Sequence, residues 1–298
     1  MNEQARAGLL TSPAAVRATL ATIGFRPSRA LGQNFLIDRN VRDCIVNAAA
    51  PEPGERLLEV GPGLGVLTGP LADRASHLLA IEKDHRLAAW VRERFGDNTR
   101  VDVRCEDALE TDLADAMQGV SAVVSNLPYS TGSRIIVRVI QDARRPNRIA
   151  VTVQLEVAER LSAAPGGHDY GLLAVWAQHD YSVRIVRKIS PTCFWPVPEV
   201  TSALVTLTRL PHTVETDAND RAIRETFYSI TRQAFQHRRK RLTGALSAGR
   251  RRTDGIEEAL RGVGIDGGAR PETLSPSDWW KLAGALTKAC GAVIEGAL

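Results

Sequence analysis

The residues Asn126, Leu127, Pro128 and Tyr129 have the types and spacing that fit chemistry on an amino group. They follow the hydrophobic run Val120–Ser125, which is typical of a buried parallel strand. The proline keeps the residue before it extended, so the turn can offer hydrogen-bond acceptors while the aromatic ring covers a flat partner. An ordinary strand-to-loop turn can have the same four residues, so the rest of the chain must decide between the two interpretations.

Residues of similar character follow three earlier strands. The first is followed by a glycine-rich turn, 59–65, whose sequence is EVGPGLG. Val66 stands where a third glycine would be expected, and this argues against an NAD or FAD site. Glu82 ends the second strand, where a carboxylate can accept hydrogen bonds from both hydroxyls of a ribose. Asp107 follows the third strand and could accept a hydrogen bond from the exocyclic amine of an adenine. Together with Asn126, they predict one ligand site at one edge of a sheet.

The elements that must position these residues are strands alternating with helices, which predict an α/β fold with a mostly parallel, doubly wound sheet. Two later runs, 182–189 and 202–207, indicate a terminal hairpin pair that adds an antiparallel strand. The predicted parallel strands are 57–60, 77–81, 101–105, 120–125 and 149–153.

Helical patterns flank this region. Capping residues Ser12 and Asp38 predict two N-terminal helices, which end near Gly24 and Ala50. After Pro211 the pattern is helical throughout, with candidates at 219–235, 239–247, 254–263 and 277–286. We therefore predict a domain at 1–210, of which 1–50 is a helical segment over the ligand, and a smaller all-α domain at 211–298.

Composition is that of a globular protein, with 44% hydrophobic and 24% charged residues among 298. We expect a cytoplasmic protein, because neither a signal peptide nor a membrane span is visible. The four cysteines form no C-x-x-C pair and the six histidines lack ligand spacing, so we expect no metal site.

The net charge of +4 is unevenly distributed. Eight basic residues and no acid lie between Arg232 and Arg252. Such a run is most often a solvated helix face, but its concentration in one segment favours a phosphate-rich partner. The candidate RNA-binding residues are Arg232, Arg238, Arg239, Lys240 and Arg241.

The sequence resembles the S-adenosylmethionine-dependent methyltransferases and, more narrowly, the ribosomal RNA adenine dimethylase family. The matching segments span most of the chain. They are LGQNFLID at 31–38, EVGPGLG at 59–65, IEKD at 81–84, EDA at 106–108, NLPY at 126–129, QLEVAERL at 154–161, F-x-P-x-P-x-V-x-S at 194–202 and FQHRRK at 235–240.

This resemblance implies a Rossmann-like class I methyltransferase domain followed by a helical RNA-binding domain. It also implies S-adenosylmethionine as cofactor and dimethylation at N6 of two adjacent adenines near the 3′ end of small-subunit (16S) rRNA, by a monomer, in a pre-ribosomal particle. The implied cofactor-binding residues are Gln33, Asn34, Leu36, Gly61, Gly63, Glu82, Lys83, Asp107, Ala108 and Asn126. The implied catalytic residues are Asn126, Leu127, Pro128, Tyr129 and Phe194.

The chemistry gives these residues roles. The adenine N6 lone pair is delocalised into the ring, so two acceptors holding its hydrogens favour a pyramidal nitrogen. The Asn126 side-chain oxygen and the Leu127 carbonyl are the candidate acceptors. Tyr129 would stack on the extruded base. Phe194 would close the opposite face, although a core aromatic in a proline-rich turn is equally consistent with its position.

The chain departs from the family pattern near the expected RNA contacts, at Leu155, Leu172, Glu199, Thr201 and 130–133. One alternative is therefore a family member that methylates large-subunit rRNA and confers macrolide resistance. Another is a non-catalytic RNA-binding assembly factor, and a nicotinamide dehydrogenase is a distant third. The number of methyl groups transferred to each adenine is left open.

Overall fold

The computed structural model describes residues 10–28, 32–211, 218–248 and 253–295. Leu31 of the first motif and Arg250, Arg251 and Arg252 of the basic run lie outside these residues. The strands are β1 Phe35–Leu36, β2 Arg56–Val60, β3 His77–Glu82, β4 Val101–Cys105, β5 Val120–Asn126, β6 Arg148–Gln154, β7 Tyr181–Ile189, β8 Phe194–Trp195 and β9 Ser202–Arg209.

The described helices cover the predicted positions and add others in the middle of the chain. They are α1 Pro13–Thr22, α2 Arg39–Ala49, α3 Thr68–Ala72, α4 His85–Phe95, α5 Leu113–Ala116, α6 Gly132–Gln141, α7 Leu155–Ser162, α8 Leu172–Asp180, α9 Ala218–Gln236, α10 Leu242–Ser247, α11 Thr253–Gly262 and α12 Pro276–Glu295. None of these helices is long and apolar enough to cross a membrane.

The two N-terminal helices begin where their capping residues predict. Ser12 accepts a hydrogen bond from the Ala15 amide, with a proline at the first position of α1. Asp38 accepts from the Val41 amide at the start of α2. Side-chain acceptors of this kind satisfy amides that have no partner within the helix, so both predicted starts are confirmed.

The central sheet has seven strands in the order β4-β3-β2-β5-β6-β9-β7. The pairs from β4 to β6 are parallel, and β9 is antiparallel to β6. This confirms the predicted α/β class and its antiparallel addition. The chain proceeds outward from β2 to β4 and then returns to β5 beside β2. The topological switch point therefore lies between β2 and β5, where open α/β sheets bind ligands.

The sheet is held by apolar side chains buried beneath flanking helices. Leu57 of β2, Leu78 of β3 and Val124 of β5 pack with Ile45 and Val46 of α2 in one cluster. Full burial of such a side chain contributes about 1.5–3 kcal/mol. The strand ends, and the polar residues they carry, are thus anchored to a rigid core.

The contacts divide the chain into two compact units, one of 1–158 with 182–209 and one of 159–181 with 210–298. Residues 159–181 therefore belong with the C-terminal helices, whereas the sequence pattern places them in the domain 1–210. The reason is a set of buried contacts within the second unit. Asp180 pairs with Arg224 at 2.8 Å, and Trp176 Nε1 donates to Thr231 at 2.9 Å.

Helix α10 begins at Leu242, later than the predicted start at Arg239. The Lys240 amide donates to the His237 carbonyl, which closes a turn at the end of α9, and the Leu242 amide donates to the Ala269 carbonyl. Arg239 and Lys240 thus lie in the turn that connects α9 to α10, because these backbone hydrogen bonds do not continue either helix.

Candidate active site

The glycine-rich turn at the end of β2 has a backbone that favours glycine. Gly61, Gly63 and Gly65 have φ values of 69°, 59° and 79°, in the left-handed region. At Gly65 the need is also steric, because an added Cβ would lie 2.7 Å from the Phe95 ring. The Gly61 amide donates to the Ile81 carbonyl at 2.8 Å, which ties the turn to β3.

Glu82 at the end of β3 is oriented by this turn. Its two carboxylate oxygens accept hydrogen bonds from the Gly63 amide at 3.1 Å and the Asp84 amide at 3.0 Å. The side chain is buried, and this burial raises the pKa of its carboxyl group. Glu82 is therefore a fixed acceptor of the kind that vicinal hydroxyls can use.

A cleft of about 710 Å³, partly open to solvent, lies at the switch point, and we call it the first cleft. Its only titratable lining residues among those described are Glu59 and Glu82. A lining that has acidic groups but no basic group places no positive charge against a cationic ligand. The predicted site residues that line it are Gln33, Asn34, Leu36, Gly61, Gly63, Glu82, Asn126, Leu127 and Pro128.

Three predicted cofactor residues are not among those lining the first cleft. Asp107 accepts from Lys83 Nζ at 2.6 Å and from the Leu109 amide at 2.8 Å, so both of its oxygens are engaged. The Lys83 bond lowers the pKa of the Asp107 carboxyl group. Ala108 is buried, and its carbonyl accepts from Arg138 at 2.9 Å.

The Asn126 amide has an orientation that its neighbours determine. Its Nδ2 donates to the Asn34 carbonyl at 3.0 Å, and its Oδ1 accepts from the Thr152 hydroxyl. A backbone carbonyl can only accept, so the nitrogen must face Asn34 and the oxygen must face Thr152. A carbonyl oxygen has two lone pairs, and the second remains for another donor.

The backbone after Asn126 is also held in place. The Leu127 amide donates to the Thr152 carbonyl at 3.2 Å. The amides of Thr131 and Gly132 both donate to the Pro128 carbonyl rather than to the Leu127 carbonyl. The two amides at the start of α6 therefore leave the Leu127 carbonyl oxygen out of their hydrogen bonds.

Tyr129 belongs to a second cleft, which shares Gly32 and Asn34 with the first. The other residues that line it are Tyr129, Ser130, Gln154, Val197, Pro198, Glu199 and Val200. The Asn126–Tyr129 turn therefore has Asn126, Leu127 and Pro128 on the first cleft and Tyr129 on the second. Two of the atypical residues, Ser130 and Glu199, lie on this second cleft.

The Tyr129 ring is half-buried, and its hydroxyl is hydrogen-bonded to Ser202 Oγ. Burial is the main cause that raises the pKa of the phenol. Phe194 meets this ring edge-on, with the ring centroids 6.5 Å apart. Phe194 is fully buried in the core cluster and is not among the residues lining either cleft, so its predicted place on the far face of a base stays a prediction.

Segment 33–37 is joined to the proline-rich motif by a small two-stranded sheet. Strand β1 pairs antiparallel with β8, so that Phe35 is opposite Trp195 and Leu36 is opposite Phe194. The Ile37 amide adds a bond to the Cys193 carbonyl at 2.8 Å. This sheet places Asn34 beside Asn126 although 92 positions separate them in the chain.

The predicted RNA-binding residues are exposed in the second unit. Arg232 lies over the Trp176 ring at 5.5 Å, and Arg238 pairs with Glu272 at 3.2 Å. Arg239, Lys240 and Arg241 follow in the turn before α10. They form an exposed basic segment on this unit.

Glu59, on the first cleft, is 1% exposed and accepts a hydrogen bond from Thr68 Oγ1 at 2.7 Å. Burial raises the pKa of its carboxyl group from 4.5 to about 8. The folded protein thus binds a proton that the unfolded chain releases. The resulting stability is fully present below about pH 4.5 and is lost as the pH rises through about 8.

We expect Glu59→Gln to flatten the pH dependence of the free energy of unfolding between pH 6 and 8, because glutamine keeps the acceptor but does not ionise. The wild-type protein should lose on the order of 2 kcal/mol more than the variant over this range, since one pKa unit corresponds to about 1.4 kcal/mol. Urea unfolding of the cofactor-free protein measures this. Glu93→Gln, at an exposed site on α4, is the control, and parallel profiles for wild type and Glu59→Gln would contradict the assignment.

Four residues contribute to the site although the sequence indicated no role for them. Gly32 lies in the motif 31–38, Glu59 in 59–65 and Ser202 at the end of 194–202, so their positions in these motifs could have indicated a role. Thr152 had none, because it looks like one more β-branched residue in a buried strand. Its place opposite Asn126 follows from the pairing of β5 with β6.

The chain is similar over most of its length to proteins named as ribosomal RNA methyltransferases. A ribosomal RNA small subunit methyltransferase A of Thermobifida fusca is 38% identical over 288 residues, covering 95% of this chain and 98% of the relative. The protein of the same name from Clostridium perfringens is 37% identical over 266 residues, covering 89% of this chain and 92% of the relative.

Two solved structures are also similar. The 23S rRNA methyltransferase ErmE has a TM-score of 0.61 at 28% identity, covering 85% of this chain and 99% of that one. A dimethyladenosine transferase from Plasmodium falciparum has a TM-score of 0.70 at 22% identity, covering 83% and 95%, and supports the fold alone.

The family model described as ribosomal RNA adenine dimethylase matches residues 24–288. This range includes the glycine-rich turn, the acidic strand ends and the Asn126–Tyr129 turn between the two clefts, so the chain belongs to the ribosomal RNA adenine dimethylase family.

Proposed function

We propose that this protein transfers methyl groups from S-adenosylmethionine to N6 of two adjacent adenines near the 3′ end of small-subunit rRNA, two to each adenine. The observation that carries the proposal is the Asn126 amide, held between Asn34 and Thr152 at the boundary of the two clefts. Its oxygen has one further lone pair for the hydrogen of an amine.

The first cleft fits the cofactor that the family uses. Gly61 and Gly63 keep side-chain bulk out of the turn, Glu82 offers a fixed acceptor to ribose hydroxyls, and no basic group among the lining residues repels a cation. When bound, S-adenosylmethionine supplies an electrophilic methyl group on a sulfonium. The residues that would hold it there are Gln33, Asn34, Leu36, Gly61, Gly63, Glu82 and Asn126, and we propose the same role for Lys83, Asp107 and Ala108 at the adenine end.

The turn would hold the acceptor amine through two oxygens. Asn126 Oδ1 and the Leu127 carbonyl would each accept one N6 hydrogen, which favours a pyramidal nitrogen whose lone pair faces the first cleft. The nitrogen becomes acidic as it gains the methyl group, so a weak acceptor or solvent suffices to take its proton. Positioning thus does most of the catalysis.

Tyr129 would stack on the extruded adenine in the second cleft. Stacking of a base on an aromatic ring is worth about 1–3 kcal/mol. Phe194 would support this position from its edge-on contact with Tyr129. We further propose that the protein acts in the cytoplasm, as a monomer, on a pre-ribosomal particle.

Labelling with tritiated cofactor tests the proposal. Purified protein should label small subunits that lack the modification, and mass spectrometry should find dimethyladenine at two adjacent positions. Labelling of isolated large subunits instead would favour the second candidate function, methylation of large-subunit rRNA. The similarity to the 23S rRNA methyltransferase ErmE is the observation behind this candidate. Failure to bind S-adenosylmethionine by calorimetry would favour a non-catalytic assembly factor.

The basic segment gives a separate prediction on RNA affinity. We expect Arg239→Ala with Lys240→Ala to reduce the slope of log affinity against log salt by up to about 1.4–1.8, because each phosphate contact contributes about 0.7–0.9. Filter binding of a small-subunit rRNA fragment at several salt concentrations measures the slope. Lys281→Ala with Lys288→Ala, exposed on α12 of the same unit, is the matched control. Equal slopes in both double variants would exclude a specific role for the basic segment.

A further inference from the structure

Two buried hydroxyl groups on neighbouring strands contact the turn between the clefts. Thr152 on β6 and Ser202 on β9 are both 0% exposed. In the antiparallel register Thr152 is opposite Leu204 and Ser202 is opposite Gln154. Directly opposed residues share a face of the sheet, as do residues two apart on one strand. Thr152 and Ser202 therefore lie on the same face of the sheet, because Ser202 is opposite Gln154, two residues after Thr152 on β6.

From this face the two hydroxyls reach the two side chains that the proposed reaction depends on. Thr152 donates to Asn126 Oδ1, and Ser202 is hydrogen-bonded to the Tyr129 hydroxyl. A nearby buried hydroxyl, that of Ser125, instead bonds to the Val60 backbone carbonyl. Bonding of that kind satisfies a buried polar group without orienting any other side chain.

We propose that Thr152 and Ser202 are positioning residues for methyl transfer, holding the Asn126 amide and the Tyr129 ring in the orientation that receives the adenine. This inference rests on the proposed function and assigns a role to residues outside the first cleft.

Thr152 acts on the acceptor oxygen. The Asn34 carbonyl holds only the nitrogen end of the amide, at 3.0 Å, and leaves rotation about that bond open. The Thr152 hydroxyl holds the oxygen end, so the second lone pair of Oδ1 has a defined direction. Without the hydroxyl the partly buried amide loses this second restraint on its orientation.

Ser202 acts on the far end of the Tyr129 ring. The near end is fixed by the turn, whose backbone is so close to Gly32 that a Cβ there would lie 2.8 Å from the Tyr129 nitrogen. The hydroxyl bond to Ser202 fixes the other end, and the edge of Phe194 borders the ring. A ring held at both ends presents one plane for stacking, so the base pays less ordering entropy when it binds.

The test compares variants in the small-subunit methylation assay, with cofactor affinity measured by calorimetry and folding by thermal unfolding. We expect Thr152→Val to lower kcat about tenfold with cofactor Kd unchanged, and Thr152→Ser to restore most of the rate, since one hydrogen bond is worth about that factor. Thr206→Val makes the same change on this face of β9, outside both clefts, and should keep the wild-type kcat.

Ser202→Ala and Tyr129→Phe provide a second arm that does not depend on how Thr152→Val folds. Each removes one end of the same bond, so each should lower kcat/KM by about threefold to tenfold, and the double variant should be no slower than either single variant. Losses that multiply, or a Thr152→Val enzyme with wild-type kcat, would overturn the positioning roles. A wild-type protein that labels neither subunit would instead overturn the proposed function itself.

Discussion

Asn126→Ala should reduce methyl transfer at least about a hundredfold while leaving the affinity for S-adenosylmethionine within a few fold. The alanine removes an acceptor for the adenine amine, and a misplacement of about 1 Å can itself cost about a hundredfold in rate. Cofactor binding should survive because the first cleft keeps its glycine turn and Glu82, which bonds to Gly63 and Asp84 rather than to Asn126. Single-turnover transfer from tritiated cofactor and calorimetry give the two quantities.

The variant also leaves the Thr152 hydroxyl without its partner, so its free energy of unfolding should fall by about 1–3 kcal/mol. Transfer should therefore be compared well below the melting temperature of each protein. Asn147→Ala removes the same side chain from an exposed position in the same unit and should keep full activity. An Asn126→Ala enzyme that works within tenfold of wild type would show that the amide is not an acceptor in the reaction.

Local patterns were enough to predict the half of the site that lies at strand ends. The glycine turn follows β2, Glu82 is the last residue of β3 and Asn126 is the last residue of β5. Parallel strands deliver their carboxyl ends to one edge of the sheet. The structure brings Gly61, Glu82 and Asn126 together in the first cleft. These positions could be predicted because they depend on topology rather than on detailed packing.

The contacts that orient these residues could not be predicted, because they depend on pairing between distant segments. Thr152 reaches Asn126 through the register of β5 with β6. Asp107 bonds to Lys83 rather than lining the cleft because that lysine extends from the end of the neighbouring strand. Similarly, 159–181 join the C-terminal unit through buried bonds such as Tyr170 to the Leu274 carbonyl at 2.9 Å, which have no signature in the sequence of either partner.

Gly32→Ala should be almost as damaging as loss of the amide, with kcat/KM reduced about a hundredfold. Gly32 has φ of 65°, and a Cβ there would lie 2.8 Å from the Tyr129 nitrogen, 2.9 Å from its Cβ and 3.0 Å from the Ser130 nitrogen. None of these atoms is the far end of a flexible side chain, so the backbone of the Tyr129 turn or of the Gly32 loop must move. Either movement would change how Tyr129 and Gly32 meet on the second cleft, which steady-state methylation kinetics will detect.

Gly24→Ala separates this clash from backbone strain. Gly24 has φ of 64°, nearly the same as Gly32, but an added Cβ there would have no heavy atom within 4 Å. Both variants should therefore lose about 1–2 kcal/mol of stability from the left-handed backbone, and only Gly32→Ala should lose activity. Equal losses of activity would mean that strain, transmitted through the fold, explains the effect. A selective loss at Gly32 would mean that the close approach of this loop to Tyr129 maintains the acceptor side of the site, because the two substitutions differ in what the new methyl group meets.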